Sequence, residues 1–171
     1  RWALDHGHHK DVALALELDV AEKAGLEQRA DGLAGLAAIE QVAALNREWD
    51  AEVERVYHHS VGDILTQGEV IGAVEASTDP RDVVVTSAGS LPGDLLKLWR
   101  SRDVSSYQVE YGYSTMGYEI AGGVGAKLAA PDREVYVMVG DGSFQMMSNE
   151  ITTAVQEGLK LIVVRVANKG F

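Results

Sequence analysis

The stretch EVYVMVGDGSFQMMSNE, residues 134–150, decides how this chain is expected to fold. Residues 135–139 form a short, continuous apolar run of the kind that becomes a buried strand, and the polar turn Gly140-Asp141-Gly142-Ser143 follows it directly. A second, largely apolar run covers residues 161–166 and is followed by Asn168. Because residues 149–157 between the two runs predict a helix, the runs are expected to be neighbouring parallel strands joined by a crossover.

The same alternation extends upstream of this stretch. Thr66-Gln67-Gly68-Glu69 has the form of a capping box and predicts a short helix. Further strands are predicted at residues 83–85 and 107–109, and helices at residues 93–100 and 116–129. The pattern predicts an α/β fold, a parallel sheet with flanking helices, over residues 61–171. We expect the sheet to be incomplete at the C-terminus, since no covering helix follows the last strand.

Residues 1–60 have a different character and are expected to form a helical linker at the end of a preceding domain. Their apolar positions from Leu36 to Val56 recur at spacings of three and four, which marks one face of a helix. We assign no chemistry to this segment.

Composition excludes several classes of function. The net charge is −11 and there is no cluster of Lys or Arg, which argues against a nucleic-acid partner. No apolar stretch approaches the roughly 18–20 residues of a membrane helix. Cysteine is absent, which excludes disulfides and thiol chemistry and is compatible with a reducing cytosol. We therefore expect a cytoplasmic protein.

Glycine-rich segments fall at or just after the carboxyl ends of the predicted strands, where parallel sheets bind ligands. They cover residues 87–90, 111–114, 140–143 and 168–170. Known phosphate motifs do not match them. Gly125-Ala126-Lys127-Leu128 lacks the Gly-Lys-Ser/Thr of a Walker loop, and Gln145 stands where a dinucleotide fingerprint needs glycine. A diphosphate bridged by a metal ion remains.

Asp141 and Asn168 are the candidate metal ligands. Adjacent parallel strands would bring both to one edge of the sheet, and carboxylate and amide oxygens suit Mg²⁺ or Ca²⁺. The alternative is an ordinary polar turn, in which Asp141 caps the following helix.

Gly140-Asp141-Gly142, followed by 25 residues and then Asn168, resembles the cofactor-binding motif of thiamine-diphosphate-dependent enzymes. The resemblance implies thiamine diphosphate and Mg²⁺ as cofactors, with the ion held by Asp141, Asn168 and the backbone carbonyl of Gly170. The motif usually ends in two Asn, and Ala167 replaces the first of them. We expect this change to remove a supporting hydrogen bond without loss of the ion.

A second segment, Ser114-Thr115-Met116-Gly117, is similar to one in the acetolactate-synthase-like branch of this family. The similarity implies that the side chain of Met116 lies under the bent cofactor, a role that suits its flexible, polarizable thioether. Backbone and hydroxyl groups are then expected to surround the diphosphate at Gly89, Ser90, Gly140, Gly142 and Ser143.

Residues 87–95 and 110–123 resemble a ring-opening branch of the family, which acts on a cyclic 1,2-dione in myo-inositol breakdown. The resemblance implies a small cyclic dione as substrate and a homodimer or homotetramer. It also places the activating Glu in a separate N-terminal domain, so no catalytic residue is assigned to this chain. Tyr111, Tyr113 and Glu119 either face the substrate or pack. A carboligase or decarboxylase of the same family, or a non-catalytic α/β module for another phosphorylated ligand, stay as alternatives.

Overall fold

In the computed structural model, the backbone is described for residues 33–167 and the side chains for residues 38–167. The chain divides into two compact units between Val56 and Tyr57, four residues before the expected boundary. Asn168 and Gly170 lie outside the described residues, as do residues 1–32 of the expected helical linker.

All of helix α1, Leu33–Tyr57, except its last residue belongs to the first unit. Its extent confirms the helix expected from the spacing of the apolar positions. Val42 and Val53, two residues of the predicted apolar face, are buried.

The second unit alternates helices and strands as expected. Its elements in chain order are α2 (Gln67–Ala76), β1 (Val83–Thr86), α3 (Ser90–Leu98), β2 (Tyr107–Val109), α4 (Tyr118–Ala129), β3 (Val135–Gly140), α5 (Asp141–Met147), α6 (Glu150–Gln156) and β4 (Ile162–Val166). No helix among the described residues is long and apolar enough to cross a membrane.

The four strands of the described region form one parallel sheet with the order β2-β1-β3-β4. Val85 pairs with Val137 in the centre of the sheet, and Gly140 pairs with Val166 where β3 and β4 end. The prediction that these two strands are parallel neighbours is therefore confirmed, and with it the parallel α/β fold.

The core lies between the central strands and α4. It consists of Val83, Val85, Ile120, Val135, Val137 and Val139. Gly123 of α4 lies so close to Val137 that an added Cβ would collide with its methyl group, so glycine allows the helix to pack closely against β3 here. Val84 and Met138 point to the opposite face and are also fully buried. Both faces of the central strands are thus covered, as parallel sheets require.

Two helix starts differ from the predictions, and one helix was not predicted. Helix α3 begins three residues before the predicted start, because Pro92 falls in its first turn, where a missing N–H is tolerated. Helix α4 begins at Tyr118 and not at Met116, since Gly117 adopts a left-handed conformation in front of it. An additional helix, α5, starts at Asp141, where only a turn was expected.

Candidate functional site

The candidate site lies at the carboxyl edge of the sheet, between β1 and β3. The chain continues from β1 to β2 on one side, whereas β3 lies on the other side, so this is the topological switch point where such sheets bind ligands. A cavity of about 120 Å³ opens here. It is lined by Gln67, Ala88, Gly89, Ser90, Leu91, Pro92, Met116, Gly140, Asp141, Gly142, Ser143 and Val166.

Asp141 stands at the boundary between β3 and α5, and its side chain is half-buried. Its Oδ1 accepts a hydrogen bond from the Gly142 N–H at 3.1 Å. The register partner of Gly140 is Val166, so β4 ends beside Asp141 two residues before Asn168. The structure thus brings the correct strand ends together, and the distance between the side-chain oxygens of Asp141 and Asn168 stays a prediction.

The second wall of the cavity follows β1. Gly89 caps α3 with φ of +124°, a left-handed conformation that favours glycine, while an added Cβ would meet only Pro92 at 3.9 Å. Ser90 begins the helix, and its Oγ accepts a hydrogen bond from Gln67 Nε2 at 3.2 Å. Backbone N–H groups at the start of this helix favour an anion.

Gln67 is a lining residue that the sequence analysis did not identify. Its amide also donates to Asp94 Oδ2 at 2.5 Å, which ties α2 to α3. Because the contact joins residues 27 positions apart, no local pattern could have indicated it. The only available signal was the position of Gln67 directly after the cap of a helix.

Met116 lines the cavity with 38% of its surface exposed. The loop before it is held by the carboxylate of Glu110, which accepts hydrogen bonds from the N–H groups of Tyr113 at 2.9 Å and Thr115 at 2.8 Å. These bonds, the one from Tyr113 foremost, hold the pKa of the Glu110 carboxyl below its usual range. The Ser87 hydroxyl donates to the Thr115 carbonyl on the other side of the loop. Met116 is therefore presented by an ordered segment.

Ser143 lines the cavity, but its hydroxyl is engaged inside the protein. Ser143 Oγ donates to the Glu119 carboxylate at 2.8 Å and accepts from the Gly117 N–H at 2.7 Å. Glu119 is 1% exposed, so of the two roles considered for it the structure shows packing. Tyr111 and Tyr113 are exposed and do not line the cavity.

The residues at this edge fit one end of a diphosphate cofactor. A carboxylate, glycine-lined space and the start of α3 converge on it, and nothing lies within 4 Å of the position that a Cβ on Gly140 would take. The volume is below the roughly 300–1,000 Å³ of complete ligand sites. No group of three His, Cys, Asp or Glu side chains in the described part of the chain could hold a metal ion. Asp141 is the one carboxylate among the lining residues named above.

Comparison with known proteins identifies the class. Residues 87–171 match the family described as thiamine pyrophosphate enzyme, C-terminal TPP binding domain. This segment contains all of the lining residues named above except Gln67, in agreement with the placement of the cavity. This part of the chain belongs to the C-terminal TPP-binding domain family of the thiamine pyrophosphate enzymes.

Curated relatives are named more specifically. A 3D-(3,5/4)-trihydroxycyclohexane-1,2-dione hydrolase of Geobacillus thermodenitrificans is 40% identical over 188 residues, covering 95% of this chain and 29% of the relative. The protein of that name from Bacillus thuringiensis is 51% identical over 115 residues, covering 67% of this chain and 18% of its own length. The chain thus spans less than a third of the length of these relatives.

A solved structure supports the fold. The thiamine diphosphate-dependent 4-hydroxybenzoylformate decarboxylase of Rhodococcus jostii RHA1 superposes with a TM-score of 0.58. The match covers 64% of this chain and 21% of the decarboxylase at 24% sequence identity. At that identity the similarity describes the arrangement of helices and strands alone.

Proposed function

We propose that the full-length protein opens the ring of 3D-(3,5/4)-trihydroxycyclohexane-1,2-dione by thiamine-diphosphate-dependent hydrolysis of a C–C bond. The product is 5-deoxyglucuronate, and the reaction is a step of myo-inositol catabolism. Support comes from the names of the relatives and from similarity that reaches 95% of this chain. The observation that carries the proposal is the cavity at the switch point, where Asp141 lies with Gly89, Ser90 and Met116.

In the proposed reaction, bound thiamine diphosphate supplies a carbon nucleophile for the substrate ketone and an electron sink for the breaking C–C bond. This chain holds and orients the cofactor. Asp141, Asn168 and the Gly170 carbonyl hold Mg²⁺, and the ion neutralises charge on the diphosphate. Backbone N–H groups near Gly89, Ser90, Gly140, Gly142 and Ser143 bind phosphate oxygens.

Met116 supports the ring portion of the cofactor in this proposal. Its half-exposed side chain lines the cavity, and the hydrogen bonds of Glu110 fix the loop that presents it. The apolar side chain of Met116 would pack against the ring portion of the cofactor, because a thioether adapts to an aromatic surface. The activating Glu comes from a separate N-terminal domain of a partner subunit, so the working enzyme is a homodimer or homotetramer. Its proposed location is the cytoplasm.

Two measurements on the full-length enzyme test the proposal. Titration calorimetry compares thiamine diphosphate plus Mg²⁺ with ADP plus Mg²⁺, and tighter binding of ADP would instead favour a module for another phosphorylated ligand. Turnover is then measured with the cyclic dione and with pyruvate. Faster consumption of pyruvate would assign the protein to the carboligases or decarboxylases of the same family.

Replacement of the proposed metal ligand gives a sharper test. Asp141→Asn should weaken Mg²⁺-dependent binding of thiamine diphosphate by at least about tenfold, because the neutral amide is a poorer ligand for a hard cation. Asp132→Asn is the matched control, since Asp132 is exposed in the turn before β3, away from the cavity. Equal affinity of Asp141→Asn and wild-type protein for the cofactor would exclude Asp141 from the metal site.

A further inference from the structure

Glu119 is a buried carboxylate for which the proposed chemistry has no use. It lies in the first turn of α4, is 1% exposed and does not line the cavity. Both of its oxygens accept from Ser143 Oγ at 2.8 Å, and Oε2 also accepts from the Gly117 N–H at 2.9 Å. The Gly117 N–H is shared with Ser143 Oγ at 2.7 Å. These three residues are called the Glu119 cluster below.

The Glu119 cluster links two walls of the cavity that are far apart in sequence. Gly117 directly follows Met116, and Ser143 follows the Asp141-Gly142 turn. The hydrogen bond between Gly117 and Ser143 joins positions 26 residues apart. The loop that carries the apolar wall and the turn that carries the candidate metal ligand are therefore fastened to each other through one carboxylate.

The chemistry of the Glu119 cluster restricts what Ser143 can do. A serine hydroxyl has one hydrogen to donate, and in this structure it points to Glu119. Among the described residues no Lys, Arg or His forms an ion pair with Glu119, so the hydroxyl and the Gly117 N–H are the donors that satisfy it. Because a buried carboxylate without donors is costly, these bonds have a strong reason to persist.

We infer that Glu119 is a positioning residue that sets the spacing between the Met116 loop and the Asp141 turn. With this spacing fixed, one cofactor can contact the Met116 loop through its ring portion and the Asp141 turn through its diphosphate at the same time. The hydroxyl of Ser143 serves this link, and only the backbone of Ser143 is left for the phosphate. The inference rests on the proposed function, because it takes thiamine diphosphate as the ligand.

The test compares a ligand that spans both walls with one that contacts only the turn. Dissociation constants of full-length Glu119→Gln are measured by calorimetry for thiamine diphosphate and for inorganic pyrophosphate, each with Mg²⁺. Loss of an orienting group typically weakens binding about 10- to 100-fold, so we expect about tenfold for thiamine diphosphate and less than about threefold for pyrophosphate. Glu157→Gln, an exposed change at the end of α6, should alter neither constant.

A double-mutant cycle tests the link itself. Ser143→Ala should show the same selective loss, and the double variant Glu119→Gln/Ser143→Ala should bind no worse than the weaker single variant, because both changes break one connection. If Glu119→Gln fails to fold, as judged by circular dichroism, Ser143→Ala alone carries the comparison of the two ligands.

Several results would overturn the inference. Equal weakening of both ligands would indicate general damage to the fold, and unchanged affinity for both would remove any positioning role. Multiplying losses in the double variant would mean that Glu119 and Ser143 act separately. Failure of the wild-type protein to bind thiamine diphosphate would overturn both this inference and the proposed function, whereas tight wild-type binding with an unaffected Glu119→Gln would overturn this inference alone.

Discussion

Gly117 occupies a backbone conformation that residues with a side chain rarely adopt, with φ of +93°. An added Cβ would also lie 2.7 Å from Met147 Cγ and 3.1 Å from Met146 Cβ. Gly125, eight positions later and inside α4, has nothing within 4 Å of its Cβ position. The backbone and the neighbouring side chains therefore require glycine at position 117, whereas position 125 has room for a side chain.

Alanine substitution at these two positions should change the stability of the protein in opposite directions. Gly117→Ala is expected to lower the free energy of unfolding by about 1–3 kcal/mol, because the left-handed conformation is strained for alanine. Gly125→Ala should raise it by roughly 0.5–1 kcal/mol, since alanine is the better helix former. Urea denaturation followed by circular dichroism measures both. Equal stability of Gly117→Ala and wild-type protein would contradict the strain at this position.

Site residues could be predicted where the chemistry is local. Asp141 was expected at the site from its type and its place after a strand, and Gly89, Ser90 and Met116 from the resemblance to the family; all four line the cavity. Glu119 could not be assigned, because a carboxylate near a helix start is compatible with either substrate contact or packing. Its burial depends on Ser143, 24 positions away.

At the scale of elements, the capping box at the start of α2 is present as predicted. Thr66 Oγ1 accepts from the Glu69 N–H at 3.2 Å, and the Glu69 carboxylate accepts from the Thr66 N–H at 2.8 Å. This second bond is the main reason why the pKa of the Glu69 carboxyl lies below its usual range. Gln67, which lines the cavity, stands in the first turn of the helix.

Loss of the cap should destabilise α2 in a pH-dependent manner. Thr66→Ala is expected to lower the free energy of unfolding by about 0.5–2 kcal/mol. Because the folded-state pKa of Glu69 is lowered, its ionised contribution is present above the unfolded value of about 4.3 and is lost as the pH falls through the lower folded value. The stability difference between wild type and Glu69→Gln should therefore shrink below about pH 4.3.

Thermal unfolding between pH 3.5 and 7 measures this effect. Thr152→Ala is the matched control for Thr66→Ala, because Thr152 is exposed inside α6 and its replacement should be neutral or slightly stabilising. A difference between wild type and Glu69→Gln that stayed constant over the whole pH range would show that the charge of Glu69 does not contribute.

Element types were easier to predict than element ends. The strands follow from continuous apolar runs, and all four were expected. Helix α5 was missed because Gly-Asp-Gly favours a turn on propensity alone. In the structure α5 contacts α4, β3 and β4, and these tertiary contacts override the local preference.

At the scale of the whole molecule, the proposed function requires a larger site than the described residues form. The cavity of about 120 Å³ has room for one end of a cofactor. The chain also covers 18–29% of the length of the two relatives described above. The remaining walls and the activating acid must come from elsewhere if the proposed function is correct.

The 171-residue chain expressed alone should therefore be catalytically silent. We expect at most weak binding of thiamine diphosphate with Mg²⁺, because a ligand that is buried on one side only gains little contact area. Calorimetry and an assay with the cyclic dione measure this, with the full-length enzyme as the positive control. Ring opening by the isolated chain would show that the activating acid lies within these residues.

The sequence by itself determined the four strands, the helices other than α5, and that a carboxylate follows a buried strand. These properties depend on neighbouring residues, so they can be read from short windows. Only the tertiary structure decided the strand order β2-β1-β3-β4, the cavity between β1 and β3, and the burial of Glu119 against Ser143. The physical reason is that these features arise from contacts between residues 23 or more positions apart, whose pairing is settled by packing of the whole sheet and its helices.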